Sequence, residues 1–75
     1  MDYSYYVSRD PKWTEVQPGQ YAVVQCEGEG VVALVFSIES TRAQAVAYAR
    51  SLNLSNALVL YRDGLEKVTV VPWEQ

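Results

Sequence analysis

The chain has 75 residues, of which 49% are apolar and 20% charged, with six Tyr, two Trp and one Phe. Such a length holds one domain and buries only about 60 to 65% of the surface its unfolded form exposes, so the core is thin. Nine acidic residues against six basic ones give a net charge of −3 and a pI near 4.6, which removes the long-range attraction that non-specific nucleic-acid binding relies on.

Taken in order, residues 3–8 read as a first strand, aromatic and β-rich, with Tyr3, Tyr5 and Val7 on one parity and Ser4, Tyr6 and Ser8 on the other. Residues 9–19 hold Pro11, an isolated Trp13 and the turn pair Pro18-Gly19, and form a long connection from which Trp13 folds back over an edge of the core. Residues 20–27 make a second strand, with Ala22, Val24 and Cys26 on one face and Tyr21, Val23, Gln25 and Glu27 on the other. Glu27-Gly28-Glu29-Gly30 then turns a hairpin into residues 31–38, which are apolar at almost every position, so parity does not say which side faces inward.

Thr41-Arg42-Ala43-Gln44 has the Thr-x-x-Gln form of a capping box and opens a helix over 43–52, with Ser40 as a rival cap. Its apolar stripe is Ala45, Val46, Ala49 and Leu52, with Tyr48 as an optional member, and Arg50 complements the helix dipole. Residues 57–62 form a fourth strand, Asp63-Gly64 turns a second hairpin, and residues 66–71 form the last strand before Pro72. The expected order is βββαββ in an α+β layout: a small, largely antiparallel sheet with one helix on one face, the core over about 3–71 and a tail at 72–75.

One helix covers one side of such a sheet. If the other side carries Tyr5, Tyr21, Val23, Val59 and Tyr61, it is either covered by Trp13, Trp73 and the 9–19 connection or open to a partner. The preferred expectation is an interaction face on which a second copy or another protein docks, with Trp13 at its rim or as its lid.

Little points to chemistry. The absence of His excludes His-dependent triads and His metal sites, and the single Cys26 excludes an internal disulfide. Cys26 shares the apolar parity of Ala22 and Val24 and reads as a small hydrophobe. Glu27 and Glu29 read as solvated turn carboxylates, and Gly28-Glu29-Gly30 lacks the glycine spacing and the following helix of a phosphate loop. Asp63 serves turn geometry. No catalytic residue, cofactor or metal is expected. The first residues lack a secretory signal and no apolar run is long enough to span a membrane, so a cytoplasmic location with no membrane partner is the expectation. A rival reading is a weak single-stranded nucleic-acid binder that uses Arg62 and Lys67, with Arg9 and Lys12 in support, beside Tyr3, Tyr5, Tyr61, Trp13 and Trp73 as stacking platforms. The alternation of these cations with acids disfavours it.

The early Tyr-Tyr-Val strand, residues 19–24, Glu27-Gly28, Val35-Phe36-Ser37, Thr41-Arg42-Ala43-Gln44-Ala45, Ala47-Tyr48-Ala49-Arg50 and Leu58-Val59-Leu60-Tyr61-Arg62-Asp63-Gly64 together resemble the small bacterial family called domain of unknown function 2188. The chain departs from that pattern at Tyr21, where the family has Trp, at Ser37 for Asp, at Gln44 for Glu, and in a longer segment at 11–18. The resemblance implies the same element order and a bacterial or phage origin, and it carries over no activity.

Overall fold

The computed structural model describes residues 2–3, 7–28, 30–64 and 67–73, leaving aside the side chains of residues 2, 3, 7 and 28. The strands are β1 (Asp2–Tyr3), β2 (Val7–Ser8), β3 (Tyr21–Gly28), β4 (Val31–Glu39), β5 (Ala57–Arg62) and β6 (Val68–Val71), with valine recurring in β3, β4 and β6, and one helix, α1 (Arg42–Leu52), lies between β4 and β5. The fold is α+β in the expected order, except that the first expected strand is divided in two. Its halves lie on opposite edges of a six-stranded sheet ordered β1-β6-β5-β3-β4-β2. All neighbours are antiparallel apart from β2 and β4, which run parallel.

That division constrains the shape of the sheet. Five inter-strand spacings would separate β1 from β2 by about 24 Å in a flat sheet, whereas the four peptide units from Tyr3 to Val7 reach at most about 14 Å. The sheet therefore curls until its two edges approach, in keeping with principal extents of 27 × 24 × 23 Å. Three register irregularities between β3 and β4, at Val23/Val24, Gln25/Cys26 and Cys26/Gly28, supply local bending. They also explain why parity was uninformative for β4: Val32 and Val35, three residues apart, fall on one face because the extra residues reset the alternation.

Thr41 caps α1 as expected, its Oγ1 accepting from the Gln44 N–H at 3.2 Å. The Gln44 Oε1 accepts from the Thr41 and Ser40 hydroxyls, in place of the backbone donor a full capping box would use. Asn53 ends the helix in the left-handed conformation (φ 52°), its N–H donating to the Arg50 carbonyl. Ala45, Val46 and Ala49 are buried against the sheet, Leu52 is half-buried, and Tyr48 stays outside the stripe at 37% exposure.

The two faces of the sheet are covered by different means. Beneath α1 lie Val23, Val59 and Val71, with Tyr21, Phe36, Leu52, Tyr61 and Trp73 around them. The opposite face carries Ala22, Val24, Val32, Val35, Leu60 and Val68, and it is closed by Trp13 and Val16 from a 3-10 turn at Pro11–Glu15 and the residue that follows it. The assignment of Tyr21, Val23, Val59 and Tyr61 to a helix-free face is therefore corrected: Val23 and Val59 are 0% exposed, under the helix. Period-2 alternation groups residues onto a face but does not say which face the helix takes. The small side chains of Ala45 and Ala49 let α1 lie close to Val23, Val59 and Val71. Tyr5 lies outside the described residues.

The 3-10 turn is held at several points. Arg62 Nη1 donates to the Val16 carbonyl at 2.7 Å, its Nε donates to Gly64 O at 3.2 Å, and its Cζ lies 5.8 Å from the Trp13 ring centroid. Its backbone N–H donates to Gln20 O and its carbonyl accepts from Gly19 N–H at 2.7 Å. Asp10 caps the turn, Oδ1 accepting from Lys12 N–H at 2.9 Å, while Oδ2 accepts from Val35 N–H at 2.8 Å, just beyond the stretch of β4 that β2 pairs. These hydrogen bonds, first that from Val35 and then that from Lys12, hold the Asp10 carboxyl below its ordinary value of 3.8.

Two outcomes are expected. Trp13→Ala should lower the unfolding free energy by about 3 kcal/mol in urea titrations, the usual loss for truncating a buried aromatic, whereas Leu34→Ala on the exposed edge should change it by less than about 0.5 kcal/mol. Because Asp10 is more acidic when folded than when unfolded, its contribution is present above pH 3.8 and is lost as the pH falls from there through its folded value. Unfolding curves collected down to pH 2.5 should therefore show a shallower acid limb for Asp10→Asn than for the parent; identical limbs would count against the Asp10–Val35 cap.

Candidate functional site

Among the described residues, two surfaces stand out once both faces are covered. The first is the outer edge of β4. β2 pairs only with Val31 and Val32, and Arg9 N–H extends that contact to the Val32 carbonyl. Over residues 33–39 no strand pairs with this edge among the described residues, and the Asp10 carboxylate occupies one N–H of it, that of Val35. The sequence there is Ala-Leu-Val-Phe-Ser-Ile-Glu, with neither the lysines nor the prolines that usually blunt an exposed edge. Leu34 is 42% exposed, and the Ser37 hydroxyl donates to the Glu39 carboxylate, so the edge's one charged side chain is drawn back along its own strand.

The second surface is a groove between α1 and the chain after β6. Arg42, Val46 and Arg50, spaced at i, i+4 and i+8, form one wall, and Pro72 and Trp73 the other, around a cavity of about 440 Å³. A smaller adjoining cavity of about 120 Å³ is lined by Ala49, Arg50, Asn53 and Trp73. Arg42 Nη2 donates to the Pro72 carbonyl at 2.8 Å, which fixes the far wall. α1 carries two arginines and no acid in a chain whose net charge is −3.

The residues singled out from sequence do not come together as one patch. Tyr21 and Tyr61 are opposed in register and their rings lie 4.8 Å apart, tilted by 43°, so each spends a face on the other. Trp13 is 9% exposed and acts as a lid over the core, away from any rim. The cations of the nucleic-acid reading are dispersed: Arg62 binds the Val16 and Gly64 carbonyls, Lys67 pairs with Asp63 at 3.5 Å, and Arg9 pairs with Glu27 at 3.0 Å. Arg42 and Trp73 of the groove belong to elements distant in sequence, and no spacing rule links them. The one signal available was the acid-free composition of the helix.

No group of three or more His, Cys, Asp or Glu able to hold a metal ion occurs among the described residues, and no helix there is long and apolar enough to cross a membrane. Cys26 packs half-buried against the Trp13 side of the core, and burial raises its thiol above the ordinary 9.0. No family model, curated protein or solved structure matches the chain, and the resemblance to domain of unknown function 2188 rests on the residues quoted for it.

A thiol raised by burial is poorly nucleophilic at neutral pH. Iodoacetamide should accordingly alkylate Cys26 in the folded protein more slowly than in the urea-unfolded chain at the same pH, as read by mass spectrometry over time; equal rates would contradict its packing.

Proposed function

We propose that this protein is a non-enzymatic, cytoplasmic interaction module that pairs with a second copy of itself through the edge of β4. The supporting observation is the nearly uncharged stretch 33–39, whose outer edge has no partner strand among the described residues, with Leu34 exposed on it. An antiparallel strand pair about a two-fold axis is self-complementary, so one sequence supplies both partners and their backbone donors and acceptors. The lone Cys26, free and half-buried, suits a reducing compartment.

The size of the molecule limits the strength of such a pair. A standard interface covers about 800 Å² per partner, and the whole surface is 4535 Å². A seven-residue edge provides less than that standard, which puts the pair in the class of weak, transient contacts. Each copy carries −3, so screening by salt favours association. Nucleic-acid binding would respond in the opposite sense, weakening as salt rises.

Light scattering over a concentration series should show the mass rising from 8.4 kDa towards twice that value, more readily at high salt. Leu34→Lys and Ser37→Lys, which place cations on the edge, should hold the mass at 8.4 kDa while leaving circular dichroism unchanged. A parent that stays at 8.4 kDa up to about 1 mM would end the self-association reading.

A further inference from the structure

Pairing through the β4 edge meets an obstacle inside the chain. We propose that Asp10 is an autoinhibitory stop on that edge: its carboxylate holds the Val35 N–H that a second copy's strand must take, so pairing requires its displacement. The inference rests on the reading of β4 as the pairing surface and assigns the regulation of that surface.

Position, acceptor strength and anchoring support it. Val35 is the third residue of the stretch 33–39. In an antiparallel pair, a hydrogen-bonded residue exchanges both its N–H and its carbonyl bond with the residue opposite. With its N–H donated to Asp10 Oδ2 at 2.8 Å, Val35 has no donor left for a partner's carbonyl. A carboxylate is also a stronger acceptor than the neutral peptide carbonyl that would replace it. The Asp10 backbone is fastened in turn: the Ser8 hydroxyl accepts from its N–H and donates to its carbonyl, each at 3.0 Å, and that carbonyl accepts from the Trp13 N–H at 3.0 Å. Trp13 is buried in the core, so the carboxylate is delivered to β4 by an anchored turn.

Capping the 3-10 turn needs only Oδ1, which accepts from the Lys12 N–H, and the second oxygen is spent on β4. Residues 33–39 contain no Lys or Pro to guard the edge, and an acid 25 residues away in sequence supplies the guard. A two-fold pair through Val35 requires both copies to release it, so the penalty counts twice.

Light scattering on Asp10→Ser beside the parent tests the inference. Serine is a good cap for the Lys12 N–H, and its shorter side chain does not extend to β4. The variant should lower the dissociation constant for self-association by about tenfold or more, with circular dichroism unchanged. Asp10→Asn, whose single acceptor cannot serve both N–H groups, should shift it the same way by a smaller factor. Glu15→Gln, an exposed acid of the same turn, makes the same change in net charge and should leave the constant within about twofold of the parent's. Adding Leu34→Lys to Asp10→Ser should return the mass to 8.4 kDa. In dilute samples of that mass, the Val35 amide should exchange hydrogen faster in Asp10→Ser than in the parent, as read by NMR. If the parent self-associates and neither Asp10 variant does so more tightly, or Glu15→Gln strengthens pairing as much, the stop is overturned and edge pairing stands. Equal Val35 exchange in parent and Asp10→Ser also overturns it. If parent and variants all stay at 8.4 kDa, edge pairing itself fails and the stop with it.

Discussion

The Arg62 guanidinium reaches the Val16 carbonyl at 2.7 Å while lying across the Trp13 indole, and closure of the second sheet face turns on this contact. A chain of this length has one helix to spend, and α1 is spent on the side bearing Val23, Val59 and Val71. Without the 3-10 turn, Ala22, Val24, Val35 and Leu60 would face water. Arg62 suits the task because its fork donates in several directions at once, so a carbonyl on each side and a ring face can be engaged by one side chain. Asp10 completes the fastening from the other end of the turn, joining it to the N–H of Val35.

The same arrangement decides which surfaces are left. With both faces covered, the edges of the sheet come to the fore, and the short pairing of β2 leaves most of β4 without a partner strand among the described residues. The helix, made thin by its alanines so that it can lie close to the valines, keeps its arginines on the flank where the chain returns after β6. The edge offers backbone hydrogen bonds and little charge, whereas the groove offers charge and an aromatic wall.

Local chemistry fixes most of the element order. Thr41 and Gln44 mark the helix start, Asp63-Gly64 marks a hairpin closed by the donations of Asp63 and Gly64 N–H to the Lys67 carbonyl, and Pro72 ends β6. Such signals act over a few residues and can be read without a fold. The expected first strand, 3–8, is divided because its described ends pair with strands far apart in sequence, β6 and β4, which no local alternation encodes. Similarly, Val32 and Val35, three residues apart, share the Trp13 side because of bulges that depend on the partner strand.

Sequence by itself determined the class of fold, the helix N-cap at Thr41, the hairpin turn at Asp63-Gly64 and the grouping of Tyr21, Val23, Val59 and Tyr61 on one side and Ala22, Val24 and Cys26 on the other. It did so because helix and strand periods are properties of the backbone. Only the tertiary structure decided which group the helix covers, that Trp13 and Arg62 seal the opposite side, and that Arg42 and Arg50 face Trp73 across a groove. Those outcomes depend on volumes and contacts between segments far apart in the chain, which no local period encodes.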